Sequence, residues 1–271
     1  MSAEPVEAPH DTTSTTAAAC QTSHLPASVC LRVTRACNAR CRFCLAPPDG
    51  HGVSYASILR RLEWLRDASV AKVHLCGGEP TIRRDLPAIV SHARACGLAC
   101  AMTTNGIEIS CTLLRRLVGA SAKVKVSVHG PQEFHDGMMG RACFERVDDN
   151  VRRLLDAGVT TAVQTVVTRK RPHAHEWAIE YCVKRGIRKL RLIPFIPRGR
   201  GLVSAHEFQL DKAMHQQLIA AAATAQEQVR DDLDVRVLDF WTQEYYVLET
   251  DGRLQIQRET DAADATIAYA V

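Results

Sequence analysis

The chain has 271 residues, 46% hydrophobic and 24% charged, with a formal net charge of +4. This is ordinary globular composition, and a single α/β domain of about 240 residues accommodates most of it. No run approaches the ~18 apolar residues of a membrane span, and so mild and diffuse a positive charge does not argue for nucleic acid.

Residues 1–27 carry Glu4, Glu7 and Asp11 among Ser, Thr, Ala and Pro, and the first Lys or Arg is Arg32. They read as a flexible leader, neither a secretory signal nor a transit peptide. The remainder stands near +7, which favours small anionic ligands. Strand-like runs follow at VCLRVT (29–34), KVHLCG (72–77), ACAMTTNG (99–106), KVKVSVHG (123–130), TAVQTVVT (161–168) and KLRLIPFI (189–196). Amphipathic segments lie between them at 54–68, 85–97, 109–119, 144–158 and 175–186. Leu59, Leu62 and Leu65 share one helical face, as do Val147, Val151, Leu154 and Leu155. Gly97, Gly158 and Gly186 stand where C-caps belong. Six βα-type repeats predict a parallel sheet with right-handed crossovers, here a partial (βα)6 barrel over 28–205. Residues 206–271 are expected to add a short helix and a β-hairpin, with a DG turn inside DFWTQEYYVLETDGRLQI (239–256).

Strand alternation adds a prediction about the interior. Val124, Val126 and Val128 oppose Lys123, Lys125, Ser127 and His129; Val73 and Leu75 oppose Lys72, His74 and Cys76; Leu190 and Leu192 oppose Lys189 and Arg191. The apolar face belongs under the helices. The other face then lines a polar, basic interior, unlike the branched apolar filling of a closed barrel. The plainer alternative is that lysines near strand starts reach solvent.

Eleven cysteines without a signal sequence suggest reduced thiols and a cytoplasmic location. Cys20, Cys30, Cys76, Cys96, Cys100, Cys111, Cys143 and Cys182 are scattered and read mostly as small hydrophobes. Cys37, Cys41 and Cys44 are different: "CNARCRFC" places three thiols in eight residues after the first strand, at the active-site end of such a sheet. Thiolates select zinc, copper(I) or iron–sulfur clusters. Zinc wants a fourth ligand, for which His51 is available, although no second CxxC exists. Three thiolates on one loop suit a four-iron cluster with one iron left open, whereas a purely electron-transferring cluster normally has four cysteines.

CNARCRFC has the CxxxCxφC pattern of radical S-adenosylmethionine enzymes, with Phe43 as the aromatic residue. GGEPTIRRDL (77–86) resembles that family's glycine-rich segment, and TTNG (103–106) and SVHG (127–130) resemble the ends of its third and fourth strands. The resemblance covers roughly residues 28–200. It implies one 4Fe–4S cluster on Cys37, Cys41 and Cys44, and S-adenosylmethionine chelating the open iron. Reductive cleavage then gives methionine and a 5′-deoxyadenosyl radical that takes hydrogen from a substrate. It further implies that Gly77 and Gly78 allow close approach to the cofactor, that Glu79 helps hold its ribose or amine, and that Pro80 fixes the turn. Ser127 would donate to its carboxylate or ribose, the backbone around Phe43 would recognise adenine, and Val166 would pack on it. Thr104 and Asn105 complete the cofactor contacts, with ordinary turn chemistry as their alternative. An electron donor such as flavodoxin or ferredoxin is an expected partner. The chain resembles the molybdenum-cofactor cyclase and peptide-maturing subgroup, but no cysteine follows Cys182, so one cluster is expected.

Between Glu180 and Glu207 there is no acid, and IPRGRG (196–201) follows the sixth strand. Arg191, Arg198 and Arg200, with His74 and Lys125, are therefore candidates for binding an anionic substrate; a solvated basic surface is the alternative. The expected substrate is a sugar acid, nucleoside or nucleotide, with no nucleic-acid or membrane partner. Cytosylglucuronate-type decarboxylases of nucleoside-antibiotic pathways are similar in size and cluster count, and suggest a lyase, with an oxidoreductase as the other form. Peptide modification, activation of another enzyme through a glycyl radical, and a zinc-stabilised binding module are the competing readings.

Overall fold

Among the first six strands neighbours in sequence pair in parallel, and three of them alternate strictly between buried and more exposed positions. The six are β1 (Ser28–Arg32), β2 (Lys72–Cys76), β3 (Ala99–Thr104), β4 (Lys123–Ser127), β5 (Thr160–Val167) and β6 (Lys189–Pro194). The computed structural model describes residues 25–45, 52–229, 232–240 and 242–270. Most of the expected leader, Cys20 and His51 lie outside the described residues.

Helices α1 (Tyr55–Asp67), α2 (Leu86–Ala95), α3 (Cys111–Gly119), α4 (Gln132–Met139), α5 (Phe144–Asp156) and α6 (Ala174–Arg185) fill the crossovers. Ser54 and Ser110 cap α1 and α3, their hydroxyls accepting from the amides of Ser57 and Leu113. Val73, Leu75, Val124, Val126, Leu190 and Leu192 are buried on the apolar side of the strands, each worth roughly 1.5–3 kcal/mol on burial. In α1 the buried face is Ile58, Leu62 and Leu65, with Leu59 half-buried at its margin; Leu155 is likewise marginal in α5.

The sheet is an open partial barrel, larger than the expected six strands. After α7 (Ala205–Phe208) and α8 (Lys212–Val229), β7 (Asp234–Val237) joins β6 in parallel. β8 (Tyr245–Leu248) crosses to the other end and pairs in parallel with β1; β9 (Arg253–Gln257) and β10 (Ala265–Tyr269) continue antiparallel. The order is β10-β9-β8-β1-β2-β3-β4-β5-β6-β7, a single ten-stranded sheet. The C-terminal helix is 18 residues rather than short. The expected DG turn joins β8 to β9, with Gly252 at φ +93. Arg61 of α1 secures it, donating to the carbonyls of Glu249 at 3.1 Å and Thr250 at 3.0 Å.

Charge reinforces one backbone pairing, β1 with β8, and adds a link that backbone pairing does not make. Glu249, 2% exposed, receives Arg32 at 3.0 Å and Arg35 at 2.7 Å. Arg198, in the loop after β6, is bound by Asp261 and Asp264 between β9 and β10, and donates to the Arg258 carbonyl. That clasp joins segments belonging to opposite ends of the sheet.

Candidate active site

The cysteine loop rests on main-chain contacts. Arg40 and Arg42 donate their amides to the carbonyls of Met139 and Met138 at the end of α4, at 3.0 and 3.1 Å. The amides of Gly78 and Glu79 donate to the carbonyls of Thr34 and Ala36 at 2.7 and 2.8 Å. The two glycines are required by that contact. A Cβ on Gly78 would meet the Ala36 carbonyl at 2.2 Å, and one on Gly77 the Thr34 carbonyl at 2.5 Å. The chain itself thus requires both glycines, independently of the close approach to a cofactor that the resemblance implies for them.

Glu79 is the hub of this end of the sheet. It is 1% exposed. Its Oε1 accepts from the Thr81 amide at 3.0 Å, the Thr81 hydroxyl at 2.8 Å and the Thr104 hydroxyl at 2.7 Å. Its Oε2 accepts only the Asn105 amide, at 2.6 Å. Burial pushes the carboxyl up from its ordinary range, while these donors pull it down. Pro80 opens the short 3-10 turn after it. Asn105 also donates to Asn38 at 2.7 Å, tying the end of β3 to the cysteine loop.

Together these residues line a cavity of about 1250 Å³, counting its open mouth. Cys37, Cys41, Cys44, Phe43, Gly77, Gly78, Glu79, Thr104, Asn105, Ser127, Val166 and Lys125 all border it. Pro80 sits just behind. His74, Arg191, Arg198 and Arg200 are not among the lining residues. Arg191 is held by Asp234 at 2.8 Å and Arg198 by its two aspartates, so neither arginine is the open anion site expected of it. Arg200 reaches back to the Cys41 carbonyl at 3.4 Å. His74 bonds the Thr103 hydroxyl at 2.6 Å, and burial, with Lys125 and Lys72 nearby, pushes its imidazole down to about 3.

Several lining residues lay outside the expected site. Gln164 shares the inward face of β5 with Val166, and the same alternation could have found it. His129 ends the polar face of β4. Its Nδ1 accepts the Val166 amide at 3.2 Å, which assigns the proton to Nε2, and Nε2 has no hydrogen-bond partner. Its ring meets Phe43 edge-on, centroids 4.6 Å apart. Burial holds it neutral, well below the ordinary histidine range. Leu238, Phe240, Tyr245 and Gln257 come from the C-terminal strands and their connections, where no local signal marks them as cavity wall.

The three thiols suit a cationic partner. Burial raises Cys37 and Cys41 above the ordinary thiol range, and each further thiolate opposes ionisation of the next. Metal charge reverses that balance, as for any coordinating thiol. A second convergence, of His135, Asp136 and Cys143, has a different character. His135 Nδ1 accepts the His129 amide at 3.2 Å, leaving Nε2 protonated towards Cys143, so the group forms a hydrogen-bonded chain and not a ligand set.

A profile of the Radical SAM superfamily matches residues 31–182. The chain is similar to the AdoMet-dependent heme synthase of Nitratidesulfovibrio vulgaris, 27% identical over 192 residues that cover 65% of this chain and 52% of that protein. It is 28% identical over 183 residues to a "Probable GTP 3',8-cyclase" of Saccharolobus islandicus, covering 65% and 59%. The fold matches Streptococcus suis SuiB bound to S-adenosylmethionine with a TM-score of 0.73 at 15% identity, covering 85% of this chain and 60% of that one. The chain therefore spans between about half and three-fifths of the length of these relatives.

Proposed function

The chain belongs to the Radical SAM superfamily, whose members use a 4Fe–4S cluster and S-adenosylmethionine, and from that premise we propose how its own residues serve the chemistry. Cys37, Cys41 and Cys44 hold one cluster. The Glu79 hub, Gly77, Gly78, Phe43, Ser127 and Val166 form the cofactor site, and a small polar, anionic substrate occupies the rest of the cavity. The bound group supplies reductive carbon–sulfur cleavage and hydrogen-atom abstraction.

The observation that carries this reading is convergence: three thiols and the Glu79 hub face one cavity. Glu79 retains acceptor capacity on Oε2 for a cofactor ammonium or hydroxyl. Its other oxygen is already occupied, so the carboxylate is fixed before anything binds. Phe43 and Val166 offer an apolar wall, and Met139, Leu238 and Phe240 help exclude water from the interior. The substrate class is a sugar acid, nucleoside or nucleotide, and the lyase form of the reaction is decarboxylation in nucleoside natural-product biosynthesis. Flavodoxin or ferredoxin supplies the electron, and the reaction takes place in the cytoplasm.

The test is anaerobic reconstitution followed by reduction with dithionite. The expected result is about four irons per chain, with 5′-deoxyadenosine and methionine formed in equal amounts. The Cys37→Ala/Cys41→Ala/Cys44→Ala variant should lose both. Iron and cleavage retained at parent levels in that variant would overturn the reading.

A further inference from the structure

Most of the positive charges around the cavity are settled by acidic partners. Arg32 lines the cavity and shares the Glu249 carboxylate with Arg35, at 3.0 and 2.7 Å. Arg191 and Arg198, outside the lining, are bound by Asp234 and by Asp261 with Asp264. Lys125 lines the cavity and has neither a carboxylate partner nor a hydrogen bond among the described residues. Its side chain lies on the inward face of β4, within electrostatic reach of Cys30 and Cys76 and also of the like charges Arg191 and Lys72. A largely buried ammonium with no carboxylate partner is expensive to hold, and the nearby Cys30 and Cys76 sulfurs offset only part of that cost.

The hydroxyl nearest it on β4 and one across the lumen are disposed to donate. Ser127 Oγ accepts Gln164 Nε2 at 2.8 Å, which leaves its own hydrogen free. Tyr245 Oη lies 3.0 Å from the Cys30 sulfur, and its hydroxyl can give its hydrogen either to that sulfur or to a ligand in the lumen. Glu79 is the sole carboxylate among the lining residues, and it is committed at the mouth. The inner part of the cavity thus presents the Lys125 ammonium and hydrogen-bond donors, with no competing carboxylate among the described residues.

We propose that Lys125, assisted by the Tyr245 hydroxyl, is the anchor for a carboxylate of the substrate, an inference that rests on the cavity being the substrate site. A single charge matches a carboxylate. A phosphate dianion would leave excess negative charge in a poorly solvated space. Lys125 precedes Ser127 by two residues, about 6.6 Å further from the cysteine loop along the strand. The anchor is therefore deeper than the cofactor residues, and the carboxylate it takes is the substrate's.

Calorimetric titration of the reconstituted protein with D-glucuronate, D-glucose and inorganic phosphate tests this at neutral pH. Glucuronate should bind in preference to both others, and Lys125→Met should weaken it roughly ten- to a hundredfold, the worth of one charge-assisted contact. S-adenosylmethionine affinity should stay within about twofold of the parent, since a loss of tenfold is already a whole contact. The variant should also melt no lower than the parent, because it removes an uncompensated charge. Equal glucuronate binding in parent and variant, no preference over glucose, or no glucuronate binding at all overturns the anchor. A matching drop in S-adenosylmethionine affinity overturns it too, by giving Lys125 to the cofactor's carboxylate. Cys30→Ala is the further check: loss of glucuronate binding there as large as in Lys125→Met would make the Cys30 thiol, not Lys125, the determinant. Cofactor cleavage without glucuronate binding sinks the anchor alone, whereas glucuronate binding without cleavage sinks the radical reading and leaves the anchor.

Discussion

The mouth of the cavity and its interior are built on opposite principles. At the mouth, the Glu79 carboxylate receives four donors, and the glycines touch the protein's own carbonyls at distances that exclude any side chain. Deeper in, Lys125 has no carboxylate partner among the described residues, and the Ser127 hydroxyl keeps a hydrogen to give. A region satisfied by itself is a rigid platform, suited to a group that every turnover shares. A region left unsatisfied is complete only with a ligand, which is where selectivity resides.

Substitutions at the mouth should accordingly damage the fold, and the largest effect is expected from Gly78→Ala. Its Cβ would overlap backbone, which cannot swing aside, so a cost above ~3 kcal/mol in chemical denaturation is expected. Gly119→Ala is the control: outside its own helix and chain neighbours, no atom lies within 4 Å of where the methyl would sit. The residue ends α3, so the change should be neutral or gain up to ~1 kcal/mol. Equal effects in the two would remove the steric argument.

Glu79→Gln tests the hub next. The amide turns one acceptor into a donor facing buried N–H or O–H groups, at a cost of about 2–3 kcal/mol. A variant as stable as the parent would mean that the four bonds do not hold the mouth together.

Acid sharpens the comparison from the other side. His135 is pushed down to about 4 by burial, and the unfolded chain takes up its proton near pH 6.5. The folded state then binds fewer protons, so stability is complete above about 6.5 and is lost as pH falls towards 4. This one group should contribute a slope of roughly 1.4 kcal/mol per pH unit in that window. His135→Asn should reduce the slope by that amount; an unchanged slope would show that His135 is not held neutral. The smallest effect belongs to the surface. Arg66→Ala breaks a pair with Asp67 in which both side chains are about half exposed or more, and thermal melting should show no measurable change.

Much of the frame is legible in the residues because β2, β4 and β6 carry a two-residue alternation, and neighbours among the first six strands follow one another in sequence. The mouth is legible because its residues lie in short contiguous motifs. What is hidden depends on distant partners. Nothing near Arg191 announces that Asp234 will neutralise it, and nothing near Tyr245 announces that β8 will lie beside β1. Arg191 in β6 and Arg198 after it looked like an anion site because the acids that satisfy them arrive 43 to 66 residues later. Lys125 kept its candidacy because no such acid reaches it among the described residues.

The placement of β8 has a consequence for the order in which the molecule assembles. β1 meets β2 early, but its other edge waits for residues around Val247, more than two hundred positions downstream of Cys30. While the chain is being synthesised, β1 is an edge strand with its ladder open, and such an edge is a template for association with another chain. Closing it spans nearly the whole sequence, the kind of pairing that folds slowly. The Arg198 clasp, which needs Asp261 and Asp264, can form only after that. A strand that leaves the ribosome late is thus the one that protects β1.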